Sequence, residues 1–118
     1  DPNGQFNVTE FGTVKDPEHF KALMAYSPYH RVKDATHYPA VLLATGENDG
    51  RVNPMQSRKM TARLQKATAS DNPVLYRSTA SAGHGMGSSL KVRISEQTDI
   101  YTFLFNELGI RSEKWQFE

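Results

Sequence analysis

The pattern of apolar and polar positions divides this chain into alternating strand-like and helix-like segments. Residues 40–44 are apolar at every position, which is typical of a strand covered on both faces. Residues 73–79 are predicted as a second strand. Apolar residues recur at helical spacing over 55–69 and again over 90–108, and Gly109 is suited to end the second helix.

An earlier helix is predicted from its start and stop signals. Asp16 is suited to cap the helix and Pro17 to occupy its first position. The negative charge of Glu18 interacts favourably with the positive N-terminal end of the helix dipole. The helix should stop before Pro28, because the residue before a proline is disfavoured in the α conformation. Residues 6–11 alternate only loosely and are predicted as a loop that can include a short turn. Residues 27–30 lack periodicity and are predicted as a connecting loop.

The order strand, helix, strand, helix predicts an α/β fold with a parallel sheet. Two strands do not make a stable sheet alone, so the remaining strands are expected from elsewhere. The chain begins without methionine or a targeting pattern, which favours a fragment of a longer polypeptide. Residues 111–118 are expected to form a flexible tail.

Composition narrows the classes of function. The 118 residues include 14 Lys and Arg against 13 Asp and Glu, without basic clusters, so neither nucleic acid nor an anionic membrane is expected as a partner. No apolar run approaches the length of a membrane span, which predicts a soluble protein, cytoplasmic or periplasmic. With no cysteine, disulfides and thiolate metal sites are excluded. His30 and His37 lack the spacing of metal ligands, and no cofactor is expected.

Polar residues follow each predicted strand. The segment 46–51, Gly-Glu-Asn-Asp-Gly-Arg, comes directly after the first strand, and Asp49 is its central acid. His84 lies among glycines after the second strand. Ligands bind at the carboxyl ends of strands in open α/β sheets, so Asp49 and His84 are candidate site residues. Two alternatives stay open: a simple tight turn with Gly50 at positive φ, and a phosphate-binding glycine loop, although its Gly-Lys-Ser/Thr ending is absent.

An acid followed by a histidine matches the second half of the Ser, Asp, His order of α/β-hydrolases. In that chemistry the carboxylate of Asp49 would orient the imidazole of His84, which would take a proton from a serine and return it to the leaving group. No Gly-x-Ser-x-Gly turn occurs in the sequence, and Ser88 and Ser89 follow the histidine rather than precede the acid. The nucleophilic serine is therefore missing from these residues.

Several short motifs lie at residues 10–12, 26–30, 38–39, 45–54 and 82–85. In their order and spacing, these motifs closely resemble the C-terminal end of the prolyl oligopeptidase family of serine peptidases. The resemblance implies that residues 1–118 are the C-terminal segment of a peptidase domain with the α/β-hydrolase fold, cutting short peptides after proline. It implies that Asp49 and His84 are the triad acid and base, that Arg51 binds a substrate carbonyl and that Val52 lines the proline pocket. The family's nucleophile and β-propeller are absent, so an upstream part of the same peptidase is expected as a partner.

Two other functions remain possible at this point. An esterase could use the same acid and histidine on the same fold, because fold does not fix the substrate. Alternatively, the chain is a non-catalytic module that self-associates through an exposed sheet edge or complements another chain.

Overall fold

The computed structural model describes residues 2–80, 82–84 and 88–110, so the predicted tail at 111–118 lies outside the described residues. Strands and helices alternate as predicted, which confirms the α/β class. The elements are a 3-10 helix at Pro2–Asn7, α1 (Val8–Phe11), α2 (Pro17–Tyr26), α3 (Pro28–Arg31), β1 (Val41–Gly46), α4 (Met55–Ala67), β2 (Val74–Thr79) and α5 (Leu90–Glu107).

The two strands pair in parallel, with the register running from Val41 opposite Val74 to Gly46 opposite Thr79. Helix α4 connects them, which makes a βαβ unit. Across the described ranges the sheet has these two strands and no propeller blade. Because the strands are parallel, the segments that follow Gly46 and Thr79 leave the sheet at the same edge.

Helix α4 supplies two of the four buried apolar residues in the described part of the chain, Leu64 and Ala67. Thr61, Leu64 and Ala67 recur every three residues along one face and are the buried residues of this helix. That face packs against both strands, where Val74 is also buried. Burying a leucine side chain contributes about 1.5–3 kcal/mol, so this layer is the main apolar contact that holds the sheet. The amphipathic helix predicted here is confirmed.

Strand β1 is less buried than its all-apolar sequence predicts. Most of its residues are half-buried, Ala44 is exposed and Gly46 is buried. The reason is geometric: within the described residues β1 has one neighbouring strand, β2, and α4 is the helix that packs on it.

The capping signals around α2 are confirmed. Asp16 Oδ1 accepts hydrogen bonds from the backbone N–H groups of Glu18 (2.9 Å) and His19 (3.0 Å). The helix ends at Tyr26, as Pro28 requires. The loop prediction for 27–30 is wrong, because Pro28 also opens α3 as its first residue, a position that proline favours. Residues 6–11 lie in short helical turns, in keeping with the short turn that the sequence allows there, and these turns are too brief to show periodicity.

Helix α5 has the predicted apolar spacing, but none of its residues, all of which the structure describes, is buried. Among the described residues, no other element packs extensively on α5, which is why its apolar face stays uncovered. Gly109 follows it with φ +65°, which confirms the predicted glycine stop. The exposed apolar side chains along α5 and just beyond it include Leu90, Ile94, Tyr101, Leu104, Phe105 and Leu108.

Candidate functional site

The polar segments after β1 and β2 are joined by backbone hydrogen bonds. The N–H of Glu47 donates to the carbonyl of Thr79 (3.0 Å), and the N–H of Asn48 donates to the carbonyl of Ala82 (3.1 Å). A side chain at position 46 would overlap the carbonyl oxygen of Ala82, so glycine permits this close approach. These contacts bring the Asp49 segment against the His84 segment.

Asp49 and His84 contact each other directly. Asp49 Oδ2 lies 2.8 Å from His84 Nδ1, across 35 positions of sequence. The side chain of Asp49 is 10% exposed and that of His84 is 46% exposed. The acid is thus sheltered while the imidazole remains open to a ligand. With Nδ1 held by the carboxylate, Nε2 is the nitrogen placed to exchange a proton with a reacting group.

The second oxygen of Asp49 is fixed by backbone groups. Asp49 Oδ1 accepts hydrogen bonds from the N–H groups of Val52 (2.8 Å) and Arg51 (2.9 Å). The N–H of Val52, followed by the contact with His84 and the N–H of Arg51, lowers the pKa of Asp49 below its ordinary value against an opposing effect of burial. The carboxylate is therefore held ionised and in one orientation.

The tight-turn alternative required a glycine at positive φ. Of the described glycines, Gly12 and Gly109 have positive φ, so Gly50 does not use that conformation. A Cβ added at Gly50 would meet nothing within 4 Å. The segment is therefore organised around the carboxylate of Asp49, as an acceptor for two N–H groups, and not around a left-handed glycine.

Arg51 and Val52 stand beside the pair. Both residues are exposed, and Val52 lines the same cleft as Asp49 and His84. The structure thus brings Val52 to the cleft and shows the backbone of Arg51 bound to the acid. The roles of the Arg51 guanidinium group and of the Val52 side chain toward a substrate stay predictions.

The cleft has a volume of about 400 Å³. Besides the pair and Val52, it is lined by Ser88, which follows the histidine in sequence, and by two residues that the sequence did not single out, Ser57 and Glu96. Ser57 and Glu96 lie on helices α4 and α5, where no motif marks them. Helical spacing alone could not reveal that they face the carboxyl edge of the sheet.

A second polar cluster holds the segment that carries Asp49, through Glu47, Tyr76 and Arg58. Glu47 accepts a hydrogen bond from the hydroxyl of Tyr76 (3.2 Å) and pairs with Arg58. The contact with Tyr76, and then the charge of Glu47, raises the pKa of Arg58 above its ordinary value. This cluster anchors the start of the Asp49 segment to α4 and β2.

Residues 2–80, 82–84 and 88–110 contain neither a metal-binding cluster nor a membrane-spanning helix. No group of three or more His, Cys, Asp or Glu in these ranges could hold a metal ion. His30, which the sequence offered as a remote candidate, instead contacts Ser27 Oγ through Nδ1 at 2.8 Å. No helix in the same ranges is long and apolar enough to cross a bilayer.

Comparison with known proteins gives a consistent result. The sequence model of the prolyl oligopeptidase family matches residues 3–111. The chain is 42% identical over 106 residues to a prolyl endopeptidase of Elizabethkingia miricola, covering 89% of this chain and 15% of the relative. It therefore spans about 15% of the length of the curated relatives it matches.

Solved structures agree in fold. One from a structural and mechanistic analysis of two prolyl endopeptidases superposes with a TM-score of 0.85 at 40% identity, covering 92% of this chain and 16% of that one. Prolyl oligopeptidase B from Galerina marginata, bound to a 35mer hydrolysis and macrocyclization substrate, superposes with a TM-score of 0.82 at 34% identity, covering 92% and 15%. Structures of that enzyme include variants in which a serine, a histidine or an aspartate is replaced by alanine.

Proposed function

The chain belongs to the prolyl oligopeptidase family, and on that premise we propose that it supplies the acid and the base of a serine peptidase that cuts short peptides after proline. The observation that carries the proposal is the 2.8 Å contact between Asp49 Oδ2 and His84 Nδ1 at the carboxyl edge of the sheet. The same three residue types, serine, histidine and aspartate, are the ones replaced in the variants of the Galerina enzyme.

In the proposed mechanism, His84 Nε2 takes the proton of a serine hydroxyl as the serine oxygen attacks the scissile carbonyl. The imidazolium then forms beside the ionised carboxylate of Asp49, which stabilises the positive charge and holds the ring. His84 returns the proton to the leaving amine, and the acyl-enzyme is hydrolysed by water with the same base. The low pKa of Asp49 suits this role because the acid must stay charged.

Arg51 and Val52 would recognise the substrate. A guanidinium group is a permanent planar donor that suits a peptide carbonyl oxygen, and an apolar side chain suits the wall of a pocket for a proline ring. Val52 is half exposed and lines the cleft, which supports its proposed place. Both roles come from the resemblance of residues 45–54 to the family motif.

The serine would come from an upstream part of the same peptidase, because the sequence contains no Gly-x-Ser-x-Gly turn. The exposed apolar face of α5, which includes Ile94, Tyr101 and Phe105, favours association with that part. Alone, the chain should be almost inactive, since removing the nucleophile of a protease triad costs on the order of a millionfold in turnover.

The test is fluorophosphonate labelling of the natively purified chain with its associated polypeptides, followed by denaturing electrophoresis and a glycyl-proline chromogenic assay. We expect the label on a polypeptide that supplies the serine, together with cleavage after proline. The matched control is the His84→Ala chain, whose preparation should show neither labelling nor cleavage after proline. Labelling and cleavage that persist in the His84→Ala material would refute the proposed role.

A further inference from the structure

Arg77 is a sheltered cation near the end of β2. Its side chain is 15% exposed, and a charged side chain so far removed from water is normally paired. Its Nε donates to Asp99 Oδ2 at 2.7 Å, and its Nη1 lies 3.6 Å from Glu96 Oε1. Both acids are on α5, so Arg77 ties this helix to the sheet.

The same guanidinium group has a third partner on its own strand. Arg77 Nη1 donates to the hydroxyl oxygen of Thr79, the buried last residue of β2. The carbonyl of Thr79 accepts hydrogen bonds from the N–H groups of Glu47 (3.0 Å) and Ala82 (3.2 Å). Glu47 lies at the start of the segment that carries Asp49, and Ala82 lies two residues before His84. Thr79 therefore joins Arg77 to both halves of the site.

Arg77 also contacts a residue of the cleft wall. Its partner Glu96 lines the cleft together with Asp49 and His84. The segment with His84 runs from Thr79 to Leu90, and Arg77 binds both at its start, through Thr79, and beyond its end, through α5. A guanidinium group holds its five N–H donors in a rigid planar fork, which suits it to bind these partners in fixed directions.

We propose that Arg77 is a positioning residue for the Asp49–His84 pair, acting through Thr79 on the two segments that carry the acid and the imidazole. The importance of this role for catalysis rests on the proposed peptidase function. The hydrogen bond between Asp49 and His84, however, can be measured without any turnover. A merely structural Arg77 would fasten α5 to the sheet and leave that hydrogen bond unchanged.

The experiment follows the His84 imidazole by nitrogen-detected NMR in the full chain. The wild type should show a His84 Nδ1–H signal protected from exchange by Asp49. Arg77→Gln should lose that signal, because the guanidinium group no longer donates a hydrogen bond to the hydroxyl of Thr79. Asp99→Asn should keep the signal, because the contact between Arg77 and Thr79 remains. Lys21→Gln, which breaks the remote surface pair of Lys21 with Glu18, is the matched control and should change nothing.

A variant with exchanged charges separates two roles of Arg77, the positioning of the Asp49–His84 pair and the attachment of α5 to the sheet. The double variant Arg77→Asp with Asp99→Arg restores an ion pair between β2 and α5, but not the hydrogen bond that Arg77 donates to Thr79, because a carboxylate has no N–H group. We expect it to recover stability without recovering the His84 signal. Recovery of the signal in the double variant, or its retention in Arg77→Gln, would overturn the proposal. Where Arg77→Gln lacks a dispersed amide spectrum, Arg77→Lys replaces it and should weaken the signal at least severalfold; an unchanged signal would again overturn the proposal.

Failure of this inference and failure of the proposed function give different results. An unchanged His84 signal in the Arg77 variants, together with active wild-type material, would reject positioning alone. Loss of the signal in Arg77→Gln, with wild-type material that neither takes the label nor cleaves after proline, would reject the peptidase function and keep the positioning role.

Discussion

The side-chain amide of Asn48 donates to the carbonyl of Ala80 at 2.8 Å, across 32 positions of sequence. The backbone N–H of the same asparagine donates to Ala82 at 3.1 Å. Asn48 immediately precedes Asp49, and Ala80 and Ala82 precede His84. Asn48 therefore ties the segment of the acid to the segment of the imidazole through two hydrogen bonds, neither of which involves the side chains of the pair.

Replacing Asn48 with alanine should loosen the pair. The variant loses one side-chain hydrogen bond, worth about 0.5–1.5 kcal/mol, and we expect the exchange protection of the His84 ring proton to fall. The matched control is Asn72→Ala, which removes a comparable bond from an exposed asparagine to the carbonyl of Tyr38 (3.0 Å). Urea unfolding should show similar stability losses, with the His84 signal reduced in Asn48→Ala alone. Equal His84 signals in the two variants would contradict this prediction.

Replacing Asp49 with asparagine should leave the fold and remove most of the proposed activity. An asparagine oxygen can still accept from the N–H groups of Arg51 and Val52, but it cannot stabilise an imidazolium ion. In a serine protease triad this change lowers turnover about 10⁴-fold. The measurement is turnover of a glycyl-proline substrate by the complemented enzyme. Asp34→Asn, which removes the surface partner of Arg63, is the control and should keep full activity.

The sequence predicts the elements of this fold well where one residue type decides the outcome. Asp16 and Pro17 begin α2, and Gly109 follows α5 with positive φ, because capping and backbone sterics act locally. Burial could not be predicted in the same way. The apolar residues of β1 and α5 indicate covered surfaces, whereas the described chain provides two strands and one packed helix to cover them.

In the candidate site, too, the sequence predicts some contacts and not others. Asp49 and His84 follow strands, so parallel pairing alone places them at one edge, and the sequence predicts their meeting. Arg77 and Glu96 could not be predicted, because their contact depends on the rotation of α5 relative to the sheet. Tertiary packing fixes that angle, and no local motif encodes it.

A substitution at Arg51 tests the proposed peptidase against the esterase alternative. A donor to a substrate carbonyl matters for a peptide that extends beyond the scissile residue, whereas a simple aryl ester offers no such carbonyl. Arg51→Ala should therefore lower kcat/KM for a proline peptide at least tenfold more than for an aryl ester. Arg31→Ala, on the short helix α3, is the control and should leave both unchanged. Equal losses on the two substrates would favour the esterase alternative.

Leu64 tests whether α4 holds the βαβ unit. It is 7% exposed on the buried face of α4, and truncation of a buried leucine to alanine costs about 2–5 kcal/mol. Leu64→Ala should therefore destabilise the chain by an amount in that range, measured by urea unfolding. Leu108→Ala, at a residue that is 69% exposed, should change the free energy of unfolding by no more than about 0.5 kcal/mol. Similar losses in the two variants would show that the core lies elsewhere.

The pH dependence of stability should report the low pKa of Asp49. Because the folded pKa lies below the unfolded value, the stabilisation is fully present above the unfolded pKa of about 3.9 and is lost as pH falls through the folded pKa. Asp49→Asn lacks this contribution at every pH, so its free energy of unfolding should fall less steeply between about pH 5 and pH 2.

Asp16 provides the comparison for that titration. Its pKa is also lowered, by the backbone N–H groups of His19 and Glu18, and it lies at the start of α2, away from the cleft. Asp16→Asn should flatten the acid side of the stability curve in the same direction while keeping the His84 ring-proton signal. Asp49→Asn should flatten the curve and alter that signal. If the free energy of unfolding of Asp49→Asn falls on the acid side as steeply as that of the wild type, or more steeply, the carboxylate gains no stabilisation from its N–H and imidazole partners in the folded chain.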